Sequence, residues 1–332
     1  MTSVLSLVGV FLGVFLVTAW LSAWPLLGVA AWRRTRGAPE GREQAQLLGG
    51  RWNLVLLLAP PLAGLAVALG AVWPSGGAGP GWQCHCAQHL LPFHLCLEHP
   101  GVSLALLPYA AALVLLLGRR PLRTLVDLAR RLRAARRLLA RQTWEVVRSA
   151  RGPVLLGDLG QPNAFTLGLL RPKVIADRAW WRSLAAGERV MVAAHEAAHA
   201  AKHDPLAHAL ALLLASLVPA RLGGPLSAGW LQFAEHRADR GAAEAAGDPV
   251  AVAELIVRAY RQGENPALLP AFGGGTLEVR VRSLLELAGG SLPIVPEVRM
   301  SLGLGLLAAT LLAICIGYPI HLFVEKILTL FR

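Results

Sequence analysis

VMVAAHEAAHAAKHDPL, Val190 to Leu206, sets three histidines and a glutamate inside a run of alanines and valines. Alanine is the best helix former, so the stretch reads as helix. Pro205 marks a break or kink after Asp204. On that helix His195 and His199 are four residues apart and project from one face, one turn from each other. Nearly every other position from Val190 to Ala201 is apolar, so the helix reads as buried. Buried imidazoles and carboxylates need partners, and a metal ion supplies one economically.

Two histidines at this spacing can share one tetrahedral ion, and Glu196 lies beside the first without being a ligand. This is the H-E-x-x-H logic of zinc proteases. With 10 histidines in 332 residues, three fixed positions match by chance on the order of once in a hundred such chains. A catalytic zinc usually takes three protein ligands and leaves one position open. The third candidate lies in LQFAEHRADRGAAE, Leu231 to Glu244. Glu235 completes a His/His/Glu set. Asp239, one turn on, is placed to accept the free N–H of a ligating histidine, which fixes its tautomer and orientation. Alone, both would read as surface charges beside Arg237 and Arg240.

Working outward, the chain is 55% hydrophobic with a mean hydropathy of +0.51, high for an ordinary globular domain. Val4 to Trp32, Asn53 to Trp73, Val102 to Gly118 and Ser301 to Val324 each read as a membrane span. The first lacks a basic start and is too long for a cleavable signal. Arginines crowd Arg33 to Arg51 and Arg119 to Arg148, whereas Pro74 to Gly101 has no lysine or arginine. The positive-inside rule then puts both termini outside and the metal domain in the cytoplasm of a multi-pass inner-membrane protein. The net charge of +12 is concentrated at those flanks, so direct nucleic-acid binding is not expected. The arginines from Arg119 to Arg148 read as decorating one or two amphipathic helices, through LVDLARRLRAARRLLA.

GPVLLGD and NAFTLGLLRPKVIAD are short β-rich runs broken by Gly, Pro and Asn, and predict a small sheet over Val154 to Ala176. The block Ala164 to Leu167 could offer an edge strand to an extended peptide. The apolar segment 205–233 reads as a helical hairpin, buried or dipping into the membrane, that returns Glu235 to the histidines. The expected organisation is three spans in 1–118 with an outer loop at 74–101, a metal domain in 119–299, and a last span with a short tail in 300–332. The outer loop carries Cys84, Cys86, Cys96 and His99 among its three cysteines and four histidines. They read either as one disulfide with a spare thiol or as a soft-metal or redox site.

AAHEAAHAAKHDPL followed by EHRAD resembles the gluzincin pattern of membrane zinc metallopeptidases. NAFTLGLLRPKVIAD resembles the Phe-Thr-x-Gly-Leu-x-Arg-Pro-x-Ile block of the BlaR/MecR-type antibiotic-sensing family, as does Asp204–Pro205. The Glu-x-x-Ala-Asp pattern is also similar to that of the HtpX/Ste24-type peptidases. The resemblance covers Gly152 to Leu287. Arg280, in VRVRSLL, resembles the Arg-Ile-x-x-Leu that follows the metal domain in related peptidases, and would either stabilise the oxyanion or serve structure. The chain ends shortly after its expected fourth span, without a penicillin-binding domain, so the family's proteolytic chemistry carries over more safely than its antibiotic ligand.

These readings predict a mostly α membrane protein of about four transmembrane helices with a cytosolic α+β gluzincin-like domain. The expected activity is zinc-dependent cleavage of a protein substrate, such as a transcriptional repressor in signalling, with Glu196 as general base and the lipid bilayer as surroundings. Membrane-protein quality control and a non-proteolytic metal- or redox-sensing receptor are the rivals. The intact Glu196 separates the first two from the last, because a structural metal has no use for it.

Overall fold

The computed structural model describes residues 2–24, 42–72, 107–161, 163–261 and 277–290. Three helices come first: α1 (Thr2–Ser22), α2 (Arg42–Val72) and α3 (Leu107–Arg141). A small sheet follows, built from β1 (Glu145–Ser149), β2 (Gly152–Gly157), β3 (Ala164–Leu167) and β4 (Lys173–Asp177). The rest is helical: α4 (Arg178–Ser183), α5 (Ala186–Ala201), α6 (Asp204–Ser216), α7 (Ala220–Ala246), α8 (Pro249–Arg261) and α9 (Leu277–Ala288).

The expectation of about four transmembrane helices is overturned. No helix among the described residues is long and apolar enough to cross a membrane. Val8, Leu12 and Leu21 of α1 and Leu65 of α2 are exposed, while other apolar side chains of this region meet protein. Ala23 and Leu57 are fully buried in one cluster with Ala211, Ala215, Val218, Leu222, Leu226, Trp230 and Phe233 of the α6–α7 region. Hydrophobicity alone does not distinguish burial against helices from burial against lipid. In α3 the apolar run stops at Gly118 and gives way to Arg119 and Arg120. The expected span Ser301–Val324 and the loop at 74–101, with Cys84, Cys86, Cys96 and His99, lie outside the described residues.

The sheet has the order β1-β2-β4-β3. β1 and β2 form an antiparallel hairpin, β2 and β4 run parallel, and β3 returns antiparallel to β4. It begins one strand before the expected start at Val154. Val146 and Val147, β-branched residues suited to a strand, fall in β1, and so Arg148 lies in a strand rather than a helix. Asp177 ends β4 and caps α4, accepting from the backbone N–H of Trp180 at 2.9 Å.

Helix α5 lies between two cores. On one side Ala193 joins Val154, Leu156, Ala164, Val174 and Ala176 of the sheet with Trp181 and Leu184. On the other, Ala194 packs with Ala242, Ala243, Val252, Ala253 and Leu284 from α7, α8 and α9. Its alanines leave room for close neighbours on both faces. Segment 205–233 forms a helical hairpin of α6 and the first half of α7. At its turn Gly223 sits directly on the Ala215 carbonyl: a Cβ there would stand 2.3 Å from that oxygen. Arg120 of α3 closes this end, donating to the carbonyls of Val218 (2.5 Å) and Ala215 (3.4 Å), which a helix terminus otherwise leaves without partners.

Candidate metal centre

One turn of α5 puts the imidazoles of His195 and His199 side by side, with their Nε2 atoms 3.2 Å apart. The α6–α7 hairpin brings the Glu235 carboxylate against both. Its Oε2 lies 3.7 Å from His195 Nε2 and its Oε1 3.7 Å from His199 Nε2. These three residues form a group that could hold a metal ion, each offering one ligand atom. The spacing suits an ion in tetrahedral coordination, whose ligand atoms stand about 3.3 Å apart when metal–ligand bonds are about 2.0–2.1 Å. The three side chains are also partly open to solvent.

The Nδ1 atom of each histidine faces a carboxylate. His195 Nδ1 lies 3.1 Å from Asp239 Oδ1, and His199 Nδ1 lies 2.7 Å from Asp204 Oδ2. Such partners fix the tautomer that leaves Nε2 free to ligate. Asp204 reaches His199 because the chain turns sharply between α5 and α6. His203 takes a left-handed conformation at φ 53°, and Asp204 then opens α6 with Pro205 behind it, a position where the missing N–H of proline costs nothing.

Both outer carboxylates are in turn held by arginines. Arg280 of α9 forks onto Asp239, with Nε 2.8 Å from Oδ2 and Nη2 2.6 Å from Oδ1. Its Nη1 lies 3.1 Å from Glu235 Oε2. Arg237 of α7 donates to the same Asp204 oxygen that faces His199. Glu196, also buried, approaches from α5. The Thr166 hydroxyl on β3 lies 2.8 Å from its Oε2 and 2.9 Å from its backbone carbonyl.

The charges are strongly coupled. Burial opposes a charge on His199, but the Asp204 hydrogen bond and the carboxylates of Glu235 and Glu196 outweigh it and push the imidazole up to about 9. Burial would raise Asp239, yet the adjacent Arg280 guanidinium and His195 hold it well below the usual carboxylate range. Asp204 is likewise lowered: burial works against its charge, and His199 and Arg237 overcome it. Four carboxylates (Glu196, Asp204, Glu235 and Asp239) stand against the two guanidinium groups of Arg237 and Arg280. With both imidazoles neutral, as ligation would require, the excess of two negative charges is what one divalent cation would balance.

The site thus gathers His195, Glu196, His199, Glu235, Asp239 and Arg280. Three further participants do not stand out in the sequence. Asp204 was visible only as an Asp-Pro after the helix, Arg237 as a charge near Glu235, and Thr166 as part of a strand. His203 is exposed at the turn and does not belong to the group that could hold a metal. No protein-family model matches the chain, and no solved structure matches it.

Proposed function

We propose that this chain is a zinc-dependent endopeptidase acting on an extended protein or peptide segment. The observation that carries the proposal is the position of Glu196. It is a buried carboxylate next to the His195/His199/Glu235 group, is not part of that group, and is in reach of a strand at the open edge of the sheet. A purely structural metal site gives such a carboxylate no task.

His195, His199 and Glu235 would hold the ion, and two imidazoles with one carboxylate suit zinc better than the hard cations. When bound, zinc supplies a Lewis acid that polarises the scissile carbonyl and favours deprotonation of water. The protein groups do the rest. Glu196 accepts the proton of the attacking water and passes it to the leaving nitrogen. Asp239 and Asp204 keep the Nδ1 protons of the two histidines in place. β3 pairs with β4 on one side, and its other edge offers backbone donors and acceptors to an extended substrate by strand addition. The resemblance of HEAAH and EHRAD to gluzincin motifs supports the same reading.

Zinc content and casein cleavage of the purified full chain, with and without a chelator, test it. About one zinc per chain and chelator-sensitive cleavage are expected. Protein without stoichiometric metal, or cleavage indifferent to the chelator, would overturn it.

A further inference from the structure

Each histidine of the metal centre is oriented by a carboxylate, and each carboxylate is gripped by an arginine. The two chains run His195–Asp239–Arg280 and His199–Asp204–Arg237. We infer that Arg280 and Arg237 are positioning residues of the metal centre, acting on the metal through Asp239 and Asp204, with Arg280 also fixing Glu235. This rests on the proposed metal site and goes beyond it by assigning how the ligands are held.

An imidazole is a useful ligand only if its ring plane stays put, and a hydrogen-bonded carboxylate holds it only if the carboxylate itself does not rotate. Asp239 has both oxygens engaged by one planar fork, and the side chain is almost entirely buried, 2% exposed. A bidentate guanidinium fixes carboxylate orientation in a way a point charge does not. Asp204 shares one oxygen between His199 and Arg237. The links also tie together every helix that supplies the site. His195–Asp239 joins α5 to α7, and His199–Asp204 joins α5 to α6. Arg237 joins α7 to α6, and Arg280 joins α9 to α7 at two carboxylates. Glu235 and Asp239, one turn apart on α7, are therefore locked by a single side chain from a different helix.

The alternative is that the arginines only offset charge. The two roles predict opposite signs. Removing a positive charge close to a cation site strengthens its attraction for a dication, so a charge-offsetting arginine replaced by methionine gives tighter metal binding. A positioning arginine so replaced gives weaker binding, because the histidines and Glu235 lose their fixed geometry. Losses from outer partners of metal ligands are typically about 10–100-fold in affinity.

The experiment measures zinc affinity of the full chain by chelator competition, for the parent and for Arg280→Lys, Arg280→Met, Asp239→Asn and the double variant Arg280→Met/Asp239→Asn. The same set is made for Arg237 and Asp204. The expected result is a loss of about 10–100-fold for either arginine variant. Within each pair the losses should be non-additive: the Arg237/Asp204 double variant should bind no more weakly than the aspartate single, and the Arg280/Asp239 double variant should lose less than the sum of its singles, its extra loss over Asp239→Asn reflecting the contact of Arg280 with Glu235. Arg280→Lys keeps the charge but loses the fork, so it should also weaken binding, and it decides the matter if Arg280→Met does not fold. Arg237→Lys does the same for its pair. Unchanged or tighter binding, or additive losses within a pair, would overturn the inference. If the parent itself binds no zinc, the metal-centre reading fails instead, so the two failures are distinguishable.

Discussion

Thr166 on the edge strand and Glu196 on the metal helix are joined by one hydrogen bond: the threonine hydroxyl lies 2.8 Å from Glu196 Oε2. The hydroxyl has a single hydrogen, and the Glu196 carbonyl at 2.9 Å competes for it. The strand proposed to receive substrate therefore also holds the residue proposed to move the proton. Substituting Thr166 by valine keeps the shape and removes the donor. Proteolysis is expected to fall while zinc content stays that of the parent, and Thr166→Ser should restore cleavage. Zinc loss in Thr166→Val would show that the contact supports the ligands rather than the base.

Glu196→Gln removes a charge but no ligand, and the glutamine amide oxygen can still accept from Thr166. Zinc content and helical circular dichroism should match the parent. Cleavage should fall by at least about 10²–10⁴-fold, the usual contribution of a positioned general base. Full activity in the purified variant would remove Glu196 from the mechanism.

Glu235→Ala deletes one of three grouped ligand atoms. It also leaves Arg280 Nη1 without the carboxylate 3.1 Å away. Zinc should be lost in dialysis that leaves the parent loaded. Retention of stoichiometric zinc would assign the third ligand elsewhere.

Parts of this arrangement were legible in the sequence for a simple reason: they depend on helix period alone. Four-residue spacing puts His195 with His199, and Glu235 with Asp239, on common faces whatever the surroundings. The pairing of those faces was not encoded locally. Asp204 meets Arg237 across α6 and α7, and Asp239 meets Arg280 across α7 and α9, through packing of helices distant in sequence. The apolar runs of α1 and α2 misled for a related reason. Leu57 of α2, and Ala23 just after α1, are buried in one cluster with Trp230, Phe233 and their neighbours, and hydropathy does not name the partner.

A bound metal would compete with the proton for Nε2 of His199, because its Nδ1 is engaged by Asp204. Its value of about 9 lies above the ordinary 6.5. In chelator-treated protein the protonated imidazole therefore contributes stability that is fully present below about pH 6.5 and lost as pH rises through about 9. The contribution is at most about 3 kcal/mol. Zinc needs the neutral ring, so apparent zinc affinity should rise with pH over the same window. Urea melts from pH 6 to 10, with and without zinc, check both slopes. A metal-free protein whose His199-dependent stability is flat across that range, judged against His199→Gln, would refute the coupling.

The hairpin that delivers Glu235 depends on Gly223. A Cβ there would lie 2.3 Å from the Ala215 carbonyl oxygen and 3.0 Å from its carbon, both backbone atoms that no rotamer change can move aside. Gly223→Ala gains up to about 1 kcal/mol in helix propensity, but forcing α6 and α7 apart costs about 1–3 kcal/mol, so the net effect should be destabilising. Gly187, in the first turn of α5, has nothing within 4 Å of an added Cβ. Gly187→Ala should therefore be neutral or stabilising by a few tenths of a kcal/mol. Thermal melts of the two variants are expected to shift in opposite directions from the parent. If Gly223→Ala melts at or above the parent temperature, α6 and α7 do not make the close contact at Ala215, and the route by which Glu235 reaches His195 and His199 must be drawn differently.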